Sequence, residues 1–501
     1  MDKTAIKNFA IWARRELIEK VSQRAKIYGI EKDKEMKEMD TALNGQVLTS
    51  DDKKARRILI EKIDKDGFDE TIEEVAYTWF NRFIAIRFME VNGYMPSHIR
   101  VFTSENNEFE PQILSEAIHI DLPGLDKSKV LDLYNAGNKE EELFKYLFIT
   151  QCNALNEVLP GMFQKINDYT ELLLPDGLLR DDSVIDVMIR EIPEEDWKEQ
   201  VQIIGWLYQY YNTEPKDEVF SRPKSEKIQK EDIPAATQLF TPDWIVRYMV
   251  ENSLGRLWIE GHPDDELKEN WKYYIEEAEQ EKEVEEQLSK IRKEYEEIKP
   301  EDIKCIDPAI GSGHIGAYLF DVLIQIYESC GYKRRDAVRL ILENNIYGLD
   351  IDERARQLAY FSLMMKARQY DRRFLSRKDI PQPKVYAIEE SNFFKTENGK
   401  NIIEYFANGD NDLRKNISSI VEDMMDAKEY GSIVIVNPVN FEAIYKRFEE
   451  IRNEESLNLY RLLILEQLLP LVKQAEILSD KYDIVITNPP YMGNASVKLG
   501  E

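Results

Sequence analysis

Beyond Pro300 the chain changes its hydrophobic period, and this limits its fold more than any other feature. Short β-like runs at 303–307 (IKCID), 345–350 (NIYGLD), 384–389 (KVYAIE), 432–436 (SIVIV) and 482–487 (YDIVIT) alternate with helical stretches such as 315–329 and 353–369. Strands separated by helices need crossover connections, and these are right-handed in a common sheet. The predicted fold is therefore α/β: a Rossmann-like, doubly wound parallel sheet with helices on both faces. Such sheets bind ligands beyond the carboxyl ends of their strands, so the residues after each run are where chemistry is expected.

The preceding part of the chain reads differently. Over 1–225 the apolar spacing is helical: Ile6, Phe9, Ala13, Leu17 and Val21 form one stripe, and Val75, Trp79, Phe80, Phe83, Ile86 and Phe88 crowd a second helix that neighbours must surround. The aromatics of GWLYQYY (205–211) are read as packing. A polar stretch at 212–230 containing Pro215 and Pro223 is read as a connector. In 226–262, Thr241-Pro242-Asp243 predicts a helix start with Thr241 as cap, followed by an apolar face of Ile245, Met249 and Leu254. The Glu- and Lys-rich stretch 263–300 cannot bury much and is expected to be a solvated helical insertion ahead of the 301–501 core.

Charge and cysteine content narrow the class. Sixty-seven Lys and Arg against 95 Asp and Glu leave a net charge of −28, which excludes a simple nucleic-acid coat or membrane-surface binder but not an enzyme whose cleft is locally positive. The three cysteines (Cys152, Cys305, Cys330) and four histidines (His98, His119, His262, His314) are scattered, so neither a disulfide framework nor a metal site is expected. No membrane span or signal peptide is legible, and the expected compartment is the cytoplasm.

Three segments carry candidate chemistry. The first is Asp307-Pro308-Ala309-Ile310-Gly311-Ser312-Gly313, between a β-like run and a helix. Gly311 and Gly313 permit a sharp turn and a close ligand approach, while Asp307 disfavours phosphate and suits a ligand bearing an amino group. It lacks the full dinucleotide fingerprint and the phosphate-binding lysine. The second is Asp350, at the tip of the next strand, where an α/β sheet places the acceptor for ribose hydroxyls; Asp352 is expected to cap the following helix. The third is Asn488-Pro489-Pro490-Tyr491, after an apolar strand. At ordinary residue usage this tetrapeptide arises by chance in fewer than about one chain in a hundred of this length. Its prolines fix a donor-poor corner that presents the Asn488 amide oxygen and the Pro489 carbonyl as acceptors, and the Tyr491 ring offers a stacking face. The set suits an adenine base, which donates two amine hydrogens. Asn437-Pro438-Val439-Asn440, also after an apolar run, is read as a structural turn.

These residues resemble the amino-methylating DNA methyltransferases, and among them the adenine-specific methyltransferases of BREX phage-defence systems. DPAIGSG (307–313) looks like motif I of that class, GLDID (348–352) like motif II, TNPPY (487–491) like motif IV, and LFTPDWIV (239–246) like a motif X placed first, the gamma arrangement. The helical N-terminal part and the segments 203–212 and 233–258 carry the finer resemblance. It implies that Phe240, Thr241 and Pro242 touch S-adenosylmethionine, that Asp307, Pro308, Ala309, Gly311 and Gly313 hold its methionine end, and that Asp350 holds its ribose. Motif III is blurred as EESNFF (389–394), with Asn392 in place of the usual aspartate. His314 stands where threonine is commoner and is expected to be packed or hydrogen-bonded.

The resemblance further implies methyl transfer to adenine N6 in double-stranded DNA, with other BREX proteins as partners and no metal. Asn488, Pro489, Pro490 and Tyr491 are then the catalytic residues. Members of that class continue past the NPPY strand into further strands and a C-terminal DNA-reading module, so a sheet incomplete at its C-terminal end is expected. Two other functions compete. One is a catalytically incomplete cofactor-binding scaffold; the other is a methyltransferase fused to a restriction nuclease, whose acids would be Asp176 and Glu214 with Lys216.

Overall fold

The apolar stripe near the start becomes helix α1 (Lys3–Ile27), capped by Asp2 and buried along Ile6, Phe9, Ala13, Leu17 and Val21. The crowded aromatic segment becomes α2 (Phe68–Val91), with Trp79, Phe80 and Phe83 all buried. On α3 (Gln202–Tyr211) the Tyr211 ring packs 4.4 Å from Phe80 and 4.8 Å from Tyr77, so this ring of the GWLYQYY run is a packing element. One ion pair is wholly enclosed here. Arg87 donates to Glu90 at 2.7 Å, while the other Glu90 oxygen accepts the amides of Val101 and Phe102, which satisfies the buried charge. The stretch read as a polar connector contains a helix, α4 (Thr213–Ser221). Pro215 does not prevent it, because proline is tolerated in a first turn, where its missing N–H would be unpaired anyway.

This computed structural model describes residues 1–34, 42, 43, 46–164, 169–222, 232, 240–454 and 458–489. It divides into two compact units, Met1–Asp217 with Ala367–Ile380, and Glu218–Lys366 with Pro381–Glu501. The regular structure of the first, among its described residues, is helical apart from an antiparallel pair of two-residue strands, Ala42–Leu43 and Gln46–Val47.

The second unit is built on a four-stranded parallel sheet of β1 (Cys305–Asp307), β2 (Ile346–Asp350), β3 (Lys384–Ala387) and β4 (Ile484–Val485), in the order β3-β2-β1-β4. This is the order in which a doubly wound sheet begins. Successive side chains point to opposite faces, and both faces are covered. Ile306, Tyr347 and Leu349 join a core with Phe406 of α9 (Glu397–Ala407), Ile417 of α10 (Asn411–Asp423), Phe448 of α11 (Phe441–Arg452) and Val472 of α12 (Leu469–Ser479). On the other face Ile346 and Ile310 lie beside Gly316 of α7 (His314–Ser329), together with Leu363 of α8 (Glu353–Tyr370).

Two expectations are corrected. The run 432–436 is not a strand: 431–433 form a single tight turn and 434–440 are irregular. Val434 and Val436 do reach the core, but Ile433 and Ile435 stay 74% and 83% exposed, and no described strand pairs with them. Alternation was present without a partner edge. The Asn437 turn is tied to Asp423, and Asn440 caps α11 by accepting the Ala443 amide at 3.1 Å. The second correction concerns α5 (Asp243–Val250). It begins one residue later than expected, Pro242 occupies the cap, and the Thr241 side chain does not cap it. Its buried line is Val246 and Val250, continued by Leu254 in the turn of helix that follows, with Ile245 and Met249 only half-buried.

The charged stretch forms a short helix, Asp265–Glu269, and α6 (Lys282–Tyr295), in which no residue is buried. It returns to the unit where a Cβ on Gly261 would lie 2.5 Å from the Tyr295 backbone.

Gly313 decides how α7 leaves the sheet. Its φ is +84°, and a Cβ there would lie 2.8 Å from the Ala359 Cα of α8, a backbone atom that cannot yield. The left-handed conformation and the overlap together cost about 2 kcal/mol or more. Gly313→Ala is therefore expected to lower the melting temperature of the chain by several degrees in a thermal scan, whereas Gly311→Ala, with nothing within 4 Å of its Cβ, is expected to show only the smaller cost of its φ of +56°.

Candidate functional site

Parallel pairing aligns Asp307 of β1 with Gly348 of β2, so Asp350 projects two residues beyond the tip of β1. There its Oδ2 accepts the Gly311 amide at 2.8 Å and its Oδ1 the Asp352 amide at 2.9 Å. The glycine turn of the first segment and the acid of the second are thus one structure. Ile310 lies across β2 because Gly348 has no side chain; a Cβ there would meet Ile310 Cδ1 at 2.4 Å. Asp352 sits at the start of α8, its carbonyl accepting the Arg356 amide and its side chain the Arg354 amide, as a cap should.

Asp307 is 1% exposed. Its Oδ1 accepts the Ala309 amide at 3.1 Å, and its Oδ2 is buried with no hydrogen-bond partner. Burial pushes its carboxyl up to about 7, against a downward pull from the nearby Thr487 hydroxyl and the Ala309 amide. The Thr487 hydroxyl influences the charge without completing a well-formed bond to Oδ2. Asp350 is also raised to about 7, first by desolvation, although part of its side chain reaches solvent. Two acids held above their ordinary range beside an open glycine turn form a cradle that a cationic group would stabilise. The orphaned Asp307 oxygen is the particular feature that asks for a donor. Pro308 and Ala309 are half-buried on the turn between them.

The Phe240–Pro242 segment reaches this cradle through His314. The His314 side chain is 8% exposed; its ring stacks on Phe240 at 4.4 Å and 5°, and its Nδ1 lies 3.0 Å from the Thr241 carbonyl. Nε2 is 3.6 Å from Asp243, whose carboxyl is held well below the usual range first by His314 and then by Arg247. Arg247 lies over the Tyr318 ring, and the Tyr318 hydroxyl donates to Glu251 at 2.6 Å. The expectation of a hydrogen-bonded His314 matches this geometry. Pro242 is exposed at the edge of the segment.

Asn488 completes the cluster: its Nδ2 donates to the Thr241 hydroxyl at 3.0 Å. It follows β4, the neighbour of β1, so three segments distant in sequence meet at the strand tips. Pro489 is exposed beside it; Pro490 and Tyr491 lie outside the described residues. Asn392 stands apart. It is exposed, and its amide donates to and accepts from Asp426 at 2.7 and 3.0 Å. Sequence reasoning quoted Thr487 and Asp243 within its motifs but gave them no role in the site, because the groups they face there, Asp307 and His314, are remote in the chain. The nuclease acids are spoken for: Asp176 pairs with Arg24 and Lys145, and Glu214 with Arg14 and Arg15. Arg14 and Arg24 are ten residues apart on α1, a rise of about 15 Å, which separates the two carboxylates beyond any shared metal.

Residues 344–499 match the Eco57I restriction-modification methylase family. More particularly, the chain is a relative of adenine-specific methyltransferases. It is 40% identical to PglX of Lacticaseibacillus casei over 99% of its own length and 43% of that protein, and 41% identical to BrxX of Escherichia coli over 87% of its length and 37% of that protein. It also shares 23% identity with a putative type II restriction enzyme and methyltransferase of Methanocaldococcus jannaschii, over 72% of its length and 30% of that protein. The chain therefore spans about two fifths of the length of PglX and BrxX.

The raised Asp307 has a measurable consequence. Its folded value of about 7 lies above the unfolded value near 4, so its contribution to stability is complete below about pH 4 and is lost as the pH rises through 7. In unliganded protein, Asp307→Asn is expected to be more stable than the parent at pH 8 and to lose that advantage toward pH 5, read as melting temperature against pH.

Proposed function

We propose that this chain carries the cofactor and catalytic elements of a DNA methyltransferase that transfers a methyl group from S-adenosylmethionine to adenine N6. The observation that carries the reading is the meeting of Asn488, Thr241 and the glycine turn flanked by Asp307 and Asp350 at the carboxyl end of a parallel sheet. In this reading 1–225 is a helical domain, 226–262 the cofactor-contacting segment, 263–300 a charged insertion and 301–501 a Rossmann-like core. Double-stranded DNA is the substrate, bound mainly by a C-terminal reader module, with other BREX proteins as partners in the cytoplasm. The similarity to PglX and BrxX supports this assignment.

The residues fit the cofactor. The orphaned Asp307 oxygen suits its α-amino group, and the space over Gly311 admits its backbone approach. Asp350 suits its ribose hydroxyls, and Phe240, Thr241 and Pro242 close over it. When bound, S-adenosylmethionine supplies a methyl group activated by a sulfonium. The chain does the rest by positioning and electrostatics. A flipped adenine stacks on Tyr491 while Asn488 Oδ1 and the Pro489 carbonyl accept its amine hydrogens, which enriches the nitrogen and aims its lone pair. No cysteine nucleophile is needed. Asn392, in the place of motif III, is kept as a contact to the cofactor's adenine that requires its pairing with Asp426 to open.

Two outcomes test this. In the whole protein Asn488→Ala is expected to reduce methyl transfer to DNA at least about 100-fold while calorimetric binding of S-adenosylmethionine survives; undiminished transfer would remove Asn488 from catalysis, and a parent protein that binds the cofactor without transfer would instead be a scaffold. Because a bound cation favours the ionised form of Asp307, cofactor binding near pH 6.5 is expected to release protons, seen as buffer-dependent binding enthalpy that Asp307→Asn diminishes.

A further inference from the structure

A carboxamide has two edges of nearly the same shape and opposite hydrogen-bonding character. Asn488 can serve an amine only if its oxygen faces the base, because the NH2 edge would set donors against donors. Rotation by 180° about the last side-chain bond exchanges the two, and that torsion is broad and roughly two-fold. Some neighbour must hold the amide.

We propose that Thr241 is the positioning residue that holds this amide in place at the strand tips, an inference resting on the methyl-transfer reading above. Its hydroxyl takes the Nδ2 hydrogen of Asn488 at 3.0 Å, and in this arrangement Oδ1 lies on the other edge of the amide. Thr241 can do this because it is itself held. It is 8% exposed, and its carbonyl is bound by His314 Nδ1 at 3.0 Å. The His314 ring is clamped by the Phe240 stack on one face, with Asp243 beyond Nε2. The absence of Thr241 from the α5 cap leaves its hydroxyl for this role. The segment ahead of α5 thus ties the histidine that opens α7 to the placement of the catalytic amide, 247 residues from Thr241 in sequence.

The test compares Thr241→Val, which keeps the shape and removes the hydroxyl, with Thr241→Ser, which keeps the hydroxyl, in the whole protein. Thr241→Val is expected to lower kcat about 10- to 100-fold with S-adenosylmethionine affinity changed less than about threefold, and Thr241→Ser to recover most of the loss. A second readout needs no turnover. DNA carrying the protein's own recognition sequence is bound with either adenine or an amine-free purine at the target position. The parent is expected to prefer adenine, and Thr241→Val to lose that preference. Unchanged kcat and preference in Thr241→Val, or a loss confined to cofactor affinity, would overturn the assignment. Asn488→Ala measured alongside separates the two levels: if it stays active the methyl-transfer reading fails, and if it is inactive while Thr241→Val is normal only the role of Thr241 fails.

Discussion

The hydrogen bond from the Gly311 amide to Asp350 joins the tips of two adjacent strands, and the site is arranged around it. It exists because parallel register sets Asp350 two residues past the end of β1, and because Gly348 lets Ile310 lie across β2 and bring the turn close. Gly313 then allows α7 to start against α8. The consequence is electrostatic. A turn that could have received an anion is flanked by two carboxylates, one of them buried with an oxygen unpaired, so the same backbone that elsewhere holds phosphate here favours a cation.

Around that turn the cluster closes by contacts between segments far apart in the chain. Thr241 meets His314 across 73 residues and Asn488 across 247. Each contact is modest in energy, about 1 kcal/mol for a neutral hydrogen bond, but they share residues, so disturbing one loosens the others. The stacked His314 and Phe240 rings hold the backbone, and the backbone holds the hydroxyl. This is how a segment that lies outside the sheet comes to bear on the residue after β4.

The net charge of −28 and the chemistry of the site are compatible on the same grounds. Acidic residues are spent in ion pairs, as with Asp176 and Glu214 against the arginines of α1, and on solvated helices such as α6. The charge total describes the surface, whereas binding depends on the few groups at the strand tips.

The sequence by itself determined the classes of element and the candidate residues. Four of the five β-like runs are strands, α1 and α2 bury the residues their periodicity marks, and Asp307, Gly311, Asp350 and Asn488 stand out by type and by their place after strands. These are local properties, carried by side-chain alternation, glycine conformation and rare tetrapeptides. Tertiary structure decided what locality cannot carry. It left 432–436 without a partner strand, started α5 one residue late, engaged Asn392 with Asp426, and gave the Thr241 hydroxyl to Asn488 instead of to its own helix. In each case two or more local arrangements have similar free energy, and the choice falls to a partner brought in by the fold from elsewhere in the chain, which periodicity and propensity do not encode.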